Sequence, residues 1–351
     1  MSSNDSKPRI LWFSRGRGRG HALRDIEIAR RINERSPVSI EFASYGTGAR
    51  SLKAAGYIFH DLGFPDDNPF LETIVLSIQL AQQISPDVLI SHEEFASLVA
   101  ARSLSLPAVC LTDWFLDPSN IRMQALNYAD EILFMEESGI FTEPPYLRGK
   151  VSYTGPIIKP LQYAESDRSR ARDEMKISDQ SLVITCISGT TNEVTSPIID
   201  LVFSAFESIN ERDKCLLWVD EVNYDILRSK GGSRSNVRII KVDSMLDRTM
   251  VASDVVITKC TRNTLRELNY LGIPSVSLSH GLNWIDDVLA NRIETNAPLD
   301  ARTTSTQKLA ETLLQSIGKR ADKKADIASP EDGMNALLDR LSAYTGALKA
   351  R

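Results

Sequence analysis

The sequence predicts two doubly wound α/β domains facing each other across a cleft, each a parallel sheet with helices on both sides. Three observations carry that expectation. Short apolar runs alternate with amphipathic helical stretches along the chain. The runs are apolar at successive positions, as strands buried on both faces must be. The alternation pauses once, where Tyr153-Thr154-Gly155-Pro156 and Lys159-Pro160 interrupt helix and strand alike. A chain of 351 residues fits two domains at roughly 150 residues each.

In the first domain, 1–157, strands are expected at 9–14, 38–43, 87–91, 107–111 and 131–135, with helices at 20–33, 71–84 and 95–103. The first helix shows its period clearly: Leu23, Ile26, Ala29 and Ile32, or the adjacent Ile28, form one apolar stripe. In the second, 158–351, strands are expected at 181–187, 215–219, 237–242, 254–258 and 275–278, with helices at 194–209 and 264–271. The charged stretch 318–332 reads as an exposed loop. The closing helix, 333–344, is free to pack across either domain, a return to the N-terminal one included.

Composition narrows the function. Lys and Arg total 41 and Asp and Glu 46, a net charge of -5, which argues against a protein held to nucleic acid by bulk charge. Cys110, Cys186, Cys215 and Cys260 show no CxxC spacing and lie in or beside apolar runs, which suits buried free thiols in a reducing cytoplasm. No stretch approaches the roughly 20 apolar residues of a spanning helix, and no targeting signal is visible at the start. A cytoplasmic protein is expected, with peripheral contact at a membrane surface left open.

Doubly wound sheets bind ligands beyond the carboxyl ends of their strands, where loops meet helix N-termini. After the first strand comes Arg15-Gly16-Arg17-Gly18-Arg19-Gly20-His21. Glycines bring backbone N–H groups close to a ligand, and the arginines suit an anion such as phosphate. His21, with Asp25 one helical turn on, is a candidate general base. The third glycine of a dinucleotide fingerprint is missing, because His21 stands in its place. The next strand ends bring His92 and Glu93, a second acid–base pair or plain loop polars, and Asp113 with Trp114, a stacking platform or core. The segment 64–70 is a candidate acceptor or membrane-contact loop.

The second domain offers a small hydroxyl-rich turn, Ser188-Gly189-Thr190-Thr191, suited to phosphate oxygens or to helix capping. Further on, Asp254, Ile257 and Lys259 lead into Asn263, Thr264 and Glu267, then Gly272 and Pro274. Glu267 is either a ligand for a vicinal diol such as ribose or a capping-box partner of Thr264.

These residues resemble glycosyltransferase family 28 of the GT-B fold, which includes the N-acetylglucosaminyltransferase of peptidoglycan precursor synthesis and the monogalactosyldiacylglycerol synthases. The resemblance rests on the glycine loop ending in Gly20-His21, on Thr154-Gly155-Pro156, and on the Asp254-to-Pro274 pattern. It implies a metal-independent, inverting transfer of a sugar from a nucleotide-diphosphate donor, UDP-linked by analogy, to a small-molecule or lipid-linked acceptor. The nucleotide sugar is then a substrate, with no cofactor. The donor would lie on the second domain, its diphosphate on Ser188 to Thr191 and Lys259, its ribose on Glu267, its base near Val242 and Met245, and its sugar near Asp286 and Asp287. His21 would deprotonate the acceptor. Thr261 replaces the family's donor-turn glycine, and Val288 or Leu289 stands where Gln is expected. No Asp-x-Asp tripeptide occurs in the sequence. A nucleotide-sugar hydrolase of the same fold shares Gly20-His21 with Arg24-Asp25, and a non-catalytic nucleotide-sugar or nucleic-acid binding module is the remaining alternative.

Overall fold

The computed structural model describes residues 7–17, 19–64, 69–115, 119–189, 192–211, 213–220, 222–231, 234–241, 246–259, 262–279, 298–317 and 330–346. The chain forms two compact units, Met1–Lys159 together with Ala328–Arg351, and Pro160–Ile327.

The first unit is built on seven strands: β1 (Arg9–Ser14), β2 (Ser39–Ser44), β3 (Phe59–Asp61), β4 (Val88–His92), β5 (Ala108–Thr112), β6 (Glu131–Phe134) and β7 (Val151–Tyr153). All pairings are parallel and the spatial order is β3-β2-β1-β4-β5-β6-β7. The central strands are buried on both faces, which is why they read as unbroken apolar runs. Their core packs Trp12, Phe42, Ile90 and Leu133 with Ile28 and Ile32 from the helix Gly20–Arg35.

The closing helix, Pro330–Gly346, belongs to this unit and adds Met334, Leu337, Leu338 and Leu341 to the same core. It begins inside the stretch read as loop from sequence, where the acidic Glu331 and Asp332 favour a helix N-terminus. Residues 318–329 of that loop lie outside the described residues. Arg340 bonds Glu131 on β6 and Ser152 on β7, and Arg35 reaches Asp339 at 2.6 Å.

The second unit carries β8 (Leu182–Gly189), β9 (Lys214–Asp220), β10 (Val237–Ile240), β11 (Val255–Thr258), β12 (Ser275–Ser279) and β13 (Leu299–Asp300), parallel in the order β10-β9-β8-β11-β12-β13. Trp218, Phe203, Phe206 and Leu309 fill one core layer, and Met250, Leu268 and Ile273 fill another.

Three short strands, β3, β7 and β13, escape the sequence reading. Each sits at a sheet edge, and two or three residues are too few to show a period. Among the described residues no helix is long and apolar enough to cross a membrane. In both sheets the strand order reverses once, between β1 and β4 and between β8 and β11, and the candidate residues gather at those two strand ends.

Candidate functional site

β1 delivers Ser14 and Arg15 to the end of the first sheet, and the glycine loop turns from there into the helix Gly20–Arg35. Gly16 is required by close packing. A Cβ there would lie 2.2 Å from the Tyr45 carbonyl oxygen, and Gly48 N–H donates to Gly16 O at 3.0 Å. Arg17 is exposed, Arg19 occupies the N-cap position without a side-chain cap bond, and Gly20 opens the helix. Gly18 lies outside the described residues.

Two histidine–carboxylate pairs cross between this helix and the end of β4. His21 Nε2 lies 2.9 Å from Glu93 Oε2, and His92 Nδ1 lies 2.6 Å from Asp25 Oδ1. The two imidazoles meet edge to face, 4.7 Å between centroids. This corrects both pairings expected from sequence, His21 with Asp25 and His92 with Glu93. Spacing along the chain puts His21 and Asp25 on one helical face, but that face packs on the strand end, so each finds its partner there.

Glu93 is held from several sides. Arg15 Nη1 donates to Oε2 at 2.9 Å, Trp114 Nε1 to Oε1 at 2.6 Å, and Thr112 Oγ1 to Oε1 at 3.4 Å. Its backbone has φ 57°, an uncommon left-handed conformation for a residue other than glycine. Trp114 is buried beneath the site as a brace for Glu93. Asp113, a candidate acceptor ligand by sequence, is also buried and receives Arg24 Nη1 at 2.9 Å.

The partners fix the tautomers. Arg24 Nη2 approaches His92 Nε2 at 3.3 Å, and a guanidinium only donates, so Nε2 accepts and Nδ1–H points to Asp25. A carboxylate only accepts, so His21 donates Nε2–H to Glu93 and keeps its lone pair on Nδ1, which makes no hydrogen bond to the described residues. Burial pushes His21 down to about 4, against the opposing pull of Glu93. The ring is neutral at pH 7, with an unprotonated lone pair on Nδ1. Glu94, the residue after Glu93, is buried against the Tyr45 hydroxyl at 3.0 Å, and burial pushes it up to about 7.

One atom each of His21, His92 and Glu93 lie within 4.8 Å of one another, the single group of metal-ligating spacing among the described residues. Both His92 nitrogens are already engaged, Nδ1 by Asp25 and Nε2 by the Arg24 guanidinium. The cluster therefore suits proton handling better than a divalent cation.

In the second unit, Ser188 and Gly189 belong to β8, which runs through a bulge to pair Gly189 with Asp220, so the expected turn begins later. Ser188 Oγ donates to Asp220 and accepts from Trp218 Nε1 at 2.9 Å, and Asp220 receives Asn223 N–H at 2.8 Å. The Ser188 hydroxyl is thus committed to a buried network rather than offered to a phosphate. Lys259 follows β11, beside the end of β8, and is buried. The helix Arg262–Tyr270 carries Asn263, Thr264 and Glu267. Thr264 lies inside it rather than at its cap, which removes the capping-box reading of Glu267. Both side chains are buried. Asp254 is structural: its carboxylate accepts from Arg172 Nη2 at 2.8 Å and Val183 N–H at 2.7 Å.

Thr190, Thr191, Val242, Met245, Asp286 and Asp287 lie outside the described residues, as do Thr261, Val288, Leu289, Cys260 and 65–68. Cys110, Cys186 and Cys215 are free and buried. The sequence reading passed over Tyr45 and Asp220, which sit at the ends of β2 and β9 where a strand-end search would have reached them.

No protein-family model matches the sequence. No curated protein matches it either. Solved structures do. A UDP-GlcNAc 2-epimerase from Neisseria meningitidis, bound to UDP-GlcNAc, shares 14% identity at a TM-score of 0.68, covering 95% of this chain and 100% of that one. MurG of Acinetobacter baumannii shares 12% at 0.66, covering 96% and 99%. HepE of Anabaena, in complex with UDP and glucose, shares 14% at 0.64, covering 96% and 100%. Likeness along nearly the whole chain, with two parallel sheets of seven and six strands, gives this protein the GT-B fold.

Proposed function

We propose that the protein transfers a sugar from a nucleotide-diphosphate donor to an acceptor hydroxyl, with His21 as the base. The observation that carries this reading is the His21–Glu93 pair at the switch-point end of the first sheet, neutral and with Nδ1 unengaged. The acceptor hydroxyl gives its proton to Nδ1 as its oxygen bonds to the sugar anomeric carbon. The bond from that carbon to the diphosphate oxygen breaks, its electron pair leaves with the nucleoside diphosphate, and the anomeric configuration inverts. Glu93 orients the ring and stabilises the imidazolium formed. On the same reading Lys259, at the end of β11, meets the diphosphate charge with no metal ion, and Glu267 binds the ribose. Arg17, Arg19 and the start of the helix Gly20–Arg35 hold the acceptor.

The full-length likeness to a UDP-GlcNAc 2-epimerase supports a second reading, in which the same unit works on the nucleotide sugar without an acceptor. One experiment separates the two. The protein is screened by thermal shift against uridine, thymidine, guanosine and adenosine diphosphates and their sugars; a ligand at 100 times its Kd adds about 2.7 kcal/mol of stability. With the ligand found, nucleoside diphosphate release is followed with and without acceptor alcohols. Acceptor-dependent release that falls ~100-fold or more in His21→Ala supports transfer. Acceptor-independent sugar release or epimerisation favours the second reading. Undiminished release in His21→Ala rejects the base assignment.

A further inference from the structure

We infer that Asp25 and His92 are positioning residues: their buried pair locks the helix that carries His21 against the strand end that carries Glu93. The inference rests on the proposed role of His21 as the base, and it concerns a pair that cannot itself meet substrate. His92 and Asp25 are fully buried, whereas the His21 side chain keeps 15% of its surface exposed.

The argument is one of connectivity. Each element supplies one histidine and one carboxylate, and the two bonds cross: helix His21 to Glu93 beyond β4, and β4 His92 to helix Asp25. Beyond the apolar packing of Ala22, Ile28 and Ile32, the outer bond alone fixes only one distance at the helix start. The inner bond, one helical turn further in, fixes a second, and two bonds on one face define the helix's register and rotation against the strand end. Arg24 adds a third tie, to His92 Nε2 and to Asp113 beyond β5. Glu93 also holds a left-handed backbone immediately after His92, a conformation that persists only where neighbours fix the chain. Anchoring His92 fixes the residue from which that turn begins.

The groups that bear on His21 are Glu93, His92 and Arg24, with Arg15 on the far side of Glu93. Loosening the inner bond lengthens the outer one and admits water, so the imidazole recovers toward its ordinary titration.

Two substitutions break the inner bond and one preserves it. Asp25→Ala removes the acceptor. His92→Phe keeps a planar ring but removes both the donor to Asp25 and the acceptor for Arg24. Asp25→Asn still accepts from His92 Nδ1–H without charge. The full chain has only four histidines, so each ring signal is assignable by substitution in heteronuclear NMR. In Asp25→Ala or His92→Phe the His21 midpoint rises ~1 pH unit toward the usual 6.5. Turnover of the sugar nucleotide identified above falls ~10-fold with KM nearly unchanged, as misplacement of a base requires. Asp25→Asn stays within ~3-fold of wild type. Should Asp25→Ala fail to fold, His92→Phe carries the test. The inference is overturned if a folded bond-breaking variant leaves the His21 midpoint and kcat unmoved, or if Asp25→Asn is as damaging as Asp25→Ala, which would make the charge rather than the bond the cause. His21→Ala is run alongside: intact turnover there rejects the base assignment, while loss there with no effect of the inner pair rejects only the positioning role.

Discussion

At the scale of single residues, the site is a balance of two titrating groups, Glu94 fully buried and His21 largely so, that pull stability in opposite directions. Glu94, raised by burial to about 7, keeps its proton in the folded protein while the unfolded chain loses it near the ordinary 4.5. Its contribution is therefore complete below about pH 4.5 and declines as pH rises through 7. His21, lowered by burial to about 4, refuses a proton that the unfolded chain accepts near 6.5. Its contribution is present above pH 6.5 and is lost as pH falls toward 4. Between about pH 4.5 and 6.5 the two slopes oppose each other and the wild-type profile conceals both. Glu94→Gln unmasks them. It retains an oxygen for the Tyr45 hydroxyl and removes the ionisation, so its stability relative to wild type should rise by ~3 kcal/mol between about pH 4.5 and pH 8. Urea unfolding across that range measures it, and parallel curves for the two proteins would refute it. What sequence made legible here was residue type and place. His92 and Glu93 stand at a strand end and His21 at the start of a helix, but chain spacing carries no information on which carboxylate each histidine faces, because the partners come from another element.

At the scale of elements, periodicity found the helices better than it found the surfaces they bury. The helix Phe70–Ile84 turns Thr73, Ser77 and Ala81 inward and leaves Leu71 and Val75 exposed, the reverse of what apolar patterning suggests. Small residues win at that face because the neighbouring helix Ala96–Ser103, rich in alanine, packs close. Glycine shows the same dependence on neighbours. A glycine inside a helix normally costs about 1 kcal/mol against alanine, so Gly333→Ala in the closing helix would ordinarily stabilise. Here a Cβ at Gly333 would come within 2.5 Å of the Pro156 carbonyl oxygen and press on Gly155. That contact is with backbone, which cannot swing away. Gly333→Ala should therefore destabilise, by ~1–3 kcal/mol, as overpacking does. A denaturation midpoint equal to or above wild type would show that the helix gives way.

At the scale of the whole molecule, the alternation of strand and helix was enough to recover two parallel sheets, because strands buried on both faces announce themselves as apolar runs. The home of the last helix was not recoverable in the same way. Its stripe of Met334, Leu337, Leu338 and Leu341 would suit the open face of either sheet. What selects the first unit is polar: Arg31 to Glu331 at 2.6 Å, Arg35 to Asn335 and Asp339, each at 2.6 Å, and Arg340 to the buried Glu131. Exposed pairs of this kind are worth little singly, up to about 1 kcal/mol, so they choose the docking site while the apolar stripe supplies the strength. Four buried side chains at roughly 1.5–3 kcal/mol each come to roughly 6–12 kcal/mol, comparable with the whole stability of an ordinary domain. A chain ending at residue 329 should therefore lose the first unit, reporting through Trp12 and Trp114, while the second unit, whose cores among the described residues contain nothing from beyond 317, keeps a cooperative transition. If the truncated chain unfolds with both transitions intact, the helix is an appendage and the arginine contacts decorate it.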